Sequence, residues 1–194
     1  SYRSFPAKTP RIGLMGSRDR LVRFAVLTGI VLLAAAARIA PHPHNVTPIA
    51  ALALFGGAHF ANRWVGLGVS LGALLLGDLV IGFHALVPFV YGGFAAIGVL
   101  GFGLRSERSV GRVAGATVAG SLLFFLVTNF GMWWLFDTYP PTAAGLWACY
   151  VAGLPYLANS LAGNAAYVGV LFGGVALLKR VVPALRSDPT PASA

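Results

Sequence analysis

The sequence predicts an all-α integral membrane protein: six transmembrane helices, a short interfacial or re-entrant helix before the last span, and both termini in the cytoplasm. Three observations predict it. Of 194 residues, 57% are hydrophobic and only 10% are charged, with mean hydropathy +0.78, whereas soluble domains carry about 25% charged residues. The apolar residues fall in runs near the roughly 20 residues that cross a bilayer. The basic residues, which set a net charge of +9, sit in short clusters between those runs. That pattern suits topology determinants better than a nucleic-acid surface.

Residues 1–20 are polar and basic and read as a cytoplasmic N-terminal arm. The run that follows, "FAVLTGIVLLAAAARIA", has the ingredients of a signal peptide but reads as the first span, roughly 21–40. Further spans are expected at roughly 46–61, 64–82, 86–104, 110–136 and 158–178, within a membrane domain covering 21–180. The second is short and should pack deep in the bundle or use its flanks. Between the fifth and sixth lies "YPPTAAGLWACYVAGLPY". Its apolar part, Thr142 to Pro155, is too short to cross, and Thr142 is placed to cap it. Residues 181–194 form a cytoplasmic tail ending in the disorder-prone "SDPTPASA".

Charge tests this layout. With the N-terminus inside, thirteen of the fourteen Lys and Arg fall on the cytoplasmic side, and only Arg38 lies near the outer side. If Thr142–Pro155 also spanned, the C-terminal basic cluster would face out. Gly68/Gly72, Gly111/Gly115 and Gly169/Gly173 have the spacing that lets helices approach closely. Trp64, Trp133, Trp134 and Tyr139 fall near span ends, as interfacial aromatics do.

Placed by depth, the unusual polar groups gather toward the outer side. Asp78 lies in the outer half of the third span, Asn129 late in the fifth and Asn164 early in the sixth. The loops at that end supply His42, His44, Asn45, Thr47, His84 and Asp137. An ionisable group within a bilayer is costly and points to function; for Asp78 the structural alternative is a helix-packing hydrogen bond or a pair with Arg38. Interhelical amides are common glue, so Asn129 and Asn164 gain weight from their shared depth. The candidate ligand-binding set is Asp78, Asn129, Asn164, His42, His84, Asn45 and Tyr139.

"PHPHNVTP", residues 41–48, reads as a proline-stiffened outer turn that rims a pocket, with Asn45 or Thr47 capping the next helix. A metal site at His42 and His44 is the weaker alternative, since two histidines are short of a closed ligand set. Cys149 is the only cysteine, which excludes an intrachain disulfide. It reads as a small buried hydrophobe, or more remotely as a ligand contact beside Trp147 and Tyr150. With Trp133, Trp134, Tyr139 and Tyr150 near the same end, an aromatic floor for a flat ligand is a further reading. No nucleophile elbow, zinc-protease motif or Walker A sequence occurs, so no enzyme activity is expected and no cofactor is identified.

Several strings in order, "PHPHNVTPIAALALFGGAHF", "GDLVIGFH", "PFVYGGF", "GSLLFFLVTNFGMWW", "YPPTAAGLWACYVAGLPY" and "AYVGVLFGG", resemble a family of bacterial integral membrane proteins of unknown function. The resemblance covers roughly residues 20–180. In size and helix number the chain looks like the six-helix S components of energy-coupling-factor vitamin transporters. That likeness implies residence in the bacterial cytoplasmic membrane, an outward-facing pocket for a vitamin or cofactor-like molecule, and a transmembrane coupling module as partner. The competing expectation is a non-catalytic accessory subunit among other transmembrane chains. Membrane lipid is a partner on either reading, and nucleic acid on neither.

Overall fold

The computed structural model describes residues 16–37 and 46–186. Most of the N-terminal arm, the "PHPHN" part of the proline turn with Arg38, and the 187–194 tail lie outside the described residues. Those residues form six α-helices: α1 (Ser17–Ala36), α2 (Ile49–His59), α3 (Arg63–Ile81), α4 (Val87–Phe102), α5 (Val110–Leu135) and α6 (Ala143–Val181). A 3₁₀ turn, Pro183–Leu185, follows, and no strand occurs among the described residues.

The shortest helix is the centre. All eleven residues of α2, "IAALALFGGAH", are buried, and α2 packs against each of the other five helices. Small side chains allow this. A Cβ on Gly101 of α4 would sit 2.6 Å from the Leu54 carbonyl oxygen, and one on Gly57 would strike the backbone of Gly98. Across α3, a Cβ on Gly56 would lie 2.7 Å from the Gly66 carbonyl oxygen. Backbone meets backbone on both sides of α2, the close approach that drives helix association without a hydrophobic term.

The expected glycine pairs are not those contacts. Among the described residues, a Cβ at Gly68, Gly72, Gly111, Gly115, Gly169 or Gly173 would meet nothing within 4 Å. Spacing finds helix faces with small residues, but it does not say which face is covered.

Among the described residues, three helices, α3, α5 and α6, are long and apolar enough to cross a membrane. Their apolar windows are only 22–33% buried, so most of that surface points outward. Exposed Leu75, Leu76, Leu79 and Val80 on α3 illustrate it. An apolar exterior this extensive exceeds what a soluble monomer shows and marks a membrane protein. α2 and α4 are shorter, at 11 and 16 residues, and α1 carries Arg18, Asp19, Arg20 and Arg23 in its first turns.

The short helix before the last span is not separate. α6 runs unbroken for 39 residues through Pro155, about 58 Å at 1.5 Å per residue. Proline forfeits one backbone hydrogen bond inside a helix. Leaving the helix in apolar surroundings would forfeit several, so continuation is the cheaper outcome. Thr142 does cap this segment, its hydroxyl accepting from Gly145 N–H at 3.1 Å. α2 differs: Pro48 stands at its N-cap without a side-chain cap bond, so Thr47 does not cap it.

The basic end of the molecule is built into the fold. The C-terminal carbonyls of α2 lack helical partners, and three arginines from two other segments, α1 and the α4–α5 connection, supply them. Arg23 donates to the His59 carbonyl at 2.9 Å and Arg108 to that of Ala58 at 3.0 Å. Arg105 donates to the Phe60 and Ala61 carbonyls at 2.7 and 2.8 Å. Cations at a helix C-terminus also meet the negative end of its dipole. Burial, then the neighbouring Arg108 and Arg63, pull the Arg105 guanidinium below its ordinary value.

Candidate functional site: a polar-lined cavity opposite the basic end

A cavity of about 300 Å³ lies among α2, α4, α5 and α6, at the end away from the arginines. Helical spacing builds two of its walls. From α5 come Phe125, Thr128, Asn129 and Met132; from α6 come Tyr156, Leu157, Ser160 and Asn164. Each set follows the i, i+3/i+4 rhythm that puts residues on one helix face. Thr47 and Ile49 close it from the start of α2, and His84 and Leu86 from the turn entering α4. That turn begins at Gly82, which ends α3 with φ 101°, a conformation glycine tolerates.

Asn164 is 5% exposed. Its Nδ2 donates to Ser121 Oγ at 3.0 Å, and that hydroxyl donates in turn to the Thr117 carbonyl at 2.9 Å. The amide is thereby held from one side. Its Oδ1 is buried and has no hydrogen-bond partner among the described residues. Such an acceptor costs about 1–3 kcal/mol to leave unmet, and native structures rarely leave one without a reason.

Asn129 is held more fully. Its Nδ2 donates to the Phe125 carbonyl at 2.8 Å, and the Cys149 thiol donates to the Asn129 carbonyl at 3.4 Å. A Cβ on Gly153 would come within 2.5 Å of Asn129 Oδ1, so that glycine makes room for the amide. Cys149 is thus a buried thiol joining α5 to α6, outside the cavity lining.

The cavity therefore gathers Asn129, Asn164 and His84, three of the seven residues expected to bind a ligand, and Thr47 from the same outer set. Asp78 stands elsewhere. It is 2% exposed, and its Oδ2 accepts from the Tyr91 hydroxyl at 2.9 Å, joining α3 to α4. Tyr139 lies in the α5–α6 connection, half-buried, and does not line the cavity. Trp133 and Trp134 form a cluster with Phe130 outside it, Trp133 donating to the Pro140 carbonyl at 2.9 Å. The aromatic walls come instead from Phe124, Phe125 and Tyr156. His42, His44 and Asn45 lie outside the described residues. Among the described residues, no group of three His, Cys, Asp or Glu could hold a metal ion.

Thr128, Tyr156 and Ser160 are missing from the expected set, though a signal exists. Tyr156 and Ser160 precede Asn164 by eight and four residues, and Thr128 adjoins Asn129. Extending each amide along its helix face would have found them.

As binding chemistry, the lining offers hydroxyls, two amides, an imidazole and aromatic faces. Among the described residues that line it there is no carboxylate and no permanent cation. No curated protein and no solved structure matches the chain. Residues 18–185, nearly its whole length, match a family of unknown function, and the chain belongs to that family, DUF6580.

Proposed function

We propose that this protein is a membrane receptor for a small, uncharged polar molecule, bound in the cavity between α2, α4, α5 and α6 and passed on for uptake. The observation that carries the reading is the buried Asn164 Oδ1, without a partner among the described residues, on the wall of a ligand-sized cavity. An acceptor so placed calls for a donor from the ligand, a hydroxyl or an N–H. The absence of charged side chains among the described lining residues favours a neutral ligand, because a buried unpaired charge is costly. At about 300 Å³ the cavity is at the lower limit for ligand pockets. That suits a compact vitamin precursor or base-like molecule and not a cobalamin-sized one.

On this reading the chain crosses the bacterial cytoplasmic membrane six times, with both termini inside and the cavity facing out. It resembles an S component in role, and the uptake energy comes from a separate coupling module. The second reading, an accessory subunit, draws support from Gly68/Gly72 and Gly111/Gly115, which present small faces with nothing opposite them among the described residues.

Native mass spectrometry of the protein gently extracted from its own membranes separates the two. A retained small molecule, present in the parent chain and lost in Asn164→Ala, is the expected result. Stoichiometric protein partners with no small molecule in either form would replace the receptor reading with the subunit one.

A further inference from the structure

A second and larger recess has a different chemistry. Between the first half of α5 and the second half of α6 runs a groove of about 850 Å³. Its α6 wall is stepped in small residues, Ala165, Gly169, Gly173 and Ala176, all of them exposed. On α5, Val113 and Thr117 face it, and Thr117 keeps its own hydroxyl satisfied by donating to the Val113 carbonyl at 2.7 Å. The wall is therefore apolar along most of its length. At one end stand Arg108 and Lys179, and among the described residues that line the groove none is a carboxylate. The nearby Glu107 is engaged with Arg112 at 2.7 Å. The N-terminus of α5, a 26-residue helix without a side-chain cap bond at Ser109, opens at the same end and adds the positive pole of its dipole.

An apolar channel on the outer face of a membrane protein, closed at one end by cations and a helix N-terminus, complements an anionic amphiphile. We infer that this groove is a binding site for an anionic phospholipid, with one acyl chain along Ala165–Ala176 and the headgroup phosphate at Arg108 and Lys179. Basic recesses between membrane helices hold anionic headgroups by this combination. Arg108 already donates to the Ala58 carbonyl at the end of α2, so the headgroup would sit against the residue that caps the central helix. The inference is independent of the cavity at the opposite end and stands whether or not that cavity binds a ligand.

The test uses the full chain in detergent with equal amounts of phosphatidylglycerol and phosphatidylcholine of identical acyl chains, read by native mass spectrometry. The parent protein is expected to retain phosphatidylglycerol over phosphatidylcholine. Lys179→Gln should lower that preference about fivefold, the effect of one cation near a headgroup. Gly173→Leu fills the groove without touching either cation and should reduce retention of both lipids. Gly68→Leu, on an exposed face of α3 that also has nothing within 4 Å, should leave retention unchanged. Equal retention of the two lipids by the parent chain would overturn the inference. So would lipid retention undiminished by Gly173→Leu, or a dimer that Gly173→Leu dissolves while no lipid is retained, which would make a second copy the occupant. If Lys179→Gln fails to fold, the Gly173→Leu and Gly68→Leu pair still decides.

Discussion

Asp78 shows how far a single residue can be read. Its position in "LLLGDLVIGFH" marks it as expensive, because a carboxyl among leucines must be satisfied by something. Among its partners is the Tyr91 hydroxyl at 2.9 Å, thirteen residues on in the next helix. Sequence reports depth but not the face on which a side chain emerges, and the face decided its partner. Asp78 is a strut between α3 and α4, not part of the cavity lining. Tyr91→Phe should therefore lower stability by about 1–2 kcal/mol, the range for a hydrogen bond between membrane helices, as read from thermal unfolding in detergent. It should leave the small molecule retained, in contrast to Asn164→Ala. Loss of that molecule in Tyr91→Phe with folding intact would put Asp78 back in the site. The arginines carry a parallel lesson. Read as topology signals, Arg23, Arg105 and Arg108 also serve as side-chain caps of α2, and nothing in their local sequence announces that.

Among elements, α2 and α6 depart most from expectation, for one physical reason. Backbone groups in an apolar setting must be bonded, and each helix meets that demand in its own way. α2 is short because it is enclosed by other helices rather than exposed to lipid along a full span, and Arg side chains finish its C-terminus. α6 is long because breaking at Pro155 would expose more backbone than the proline costs. The glycine contacts around α2 make a sharp contrast with the outward-facing pairs. Gly101→Ala places a methyl 2.6 Å from the Leu54 carbonyl oxygen and should destabilise by about 1–3 kcal/mol, the range for overpacking. Gly68→Ala meets nothing within 4 Å and should be neutral or gain up to about 1 kcal/mol from helix propensity. Unfolding midpoints of the two variants in the same detergent check this. Equal effects would mean that α2 and α4 are not in backbone contact.

For the whole molecule, the described ends of the chain come together. Arg23, early in α1, reaches both the His59 carbonyl and the Leu185 carbonyl, the latter at 3.4 Å. The start of α1, the ends of α2 and α6 and the arginines after α4 thus share one pole, with the polar cavity at the other. On the proposed six-span topology, reporters that fluoresce only in the cytoplasm should be active at both termini and inactive in the turn at His84. A signal from only one terminus would exclude an even number of crossings.

Composition and spacing alone determined that the chain is helical and built for a membrane, because burial of apolar side chains and satisfaction of backbone bonds leave few alternatives there. They also put Asn129 and Asn164 at a shared depth, since depth follows from counting residues along a helix, with His84 in a loop at the same end. Only the tertiary structure decided which of the polar residues meet. It turned Asn164 toward a cavity and Asp78 toward Tyr91, and it left the glycine pairs Gly68/Gly72 and Gly111/Gly115 uncovered by the other described residues while closing Gly57 onto α4. Each outcome depends on the rotation of one helix about its axis against its neighbours. That rotation is set by side-chain packing around α2, to which the near-uniform apolarity of these helices gives sequence reading almost no guide.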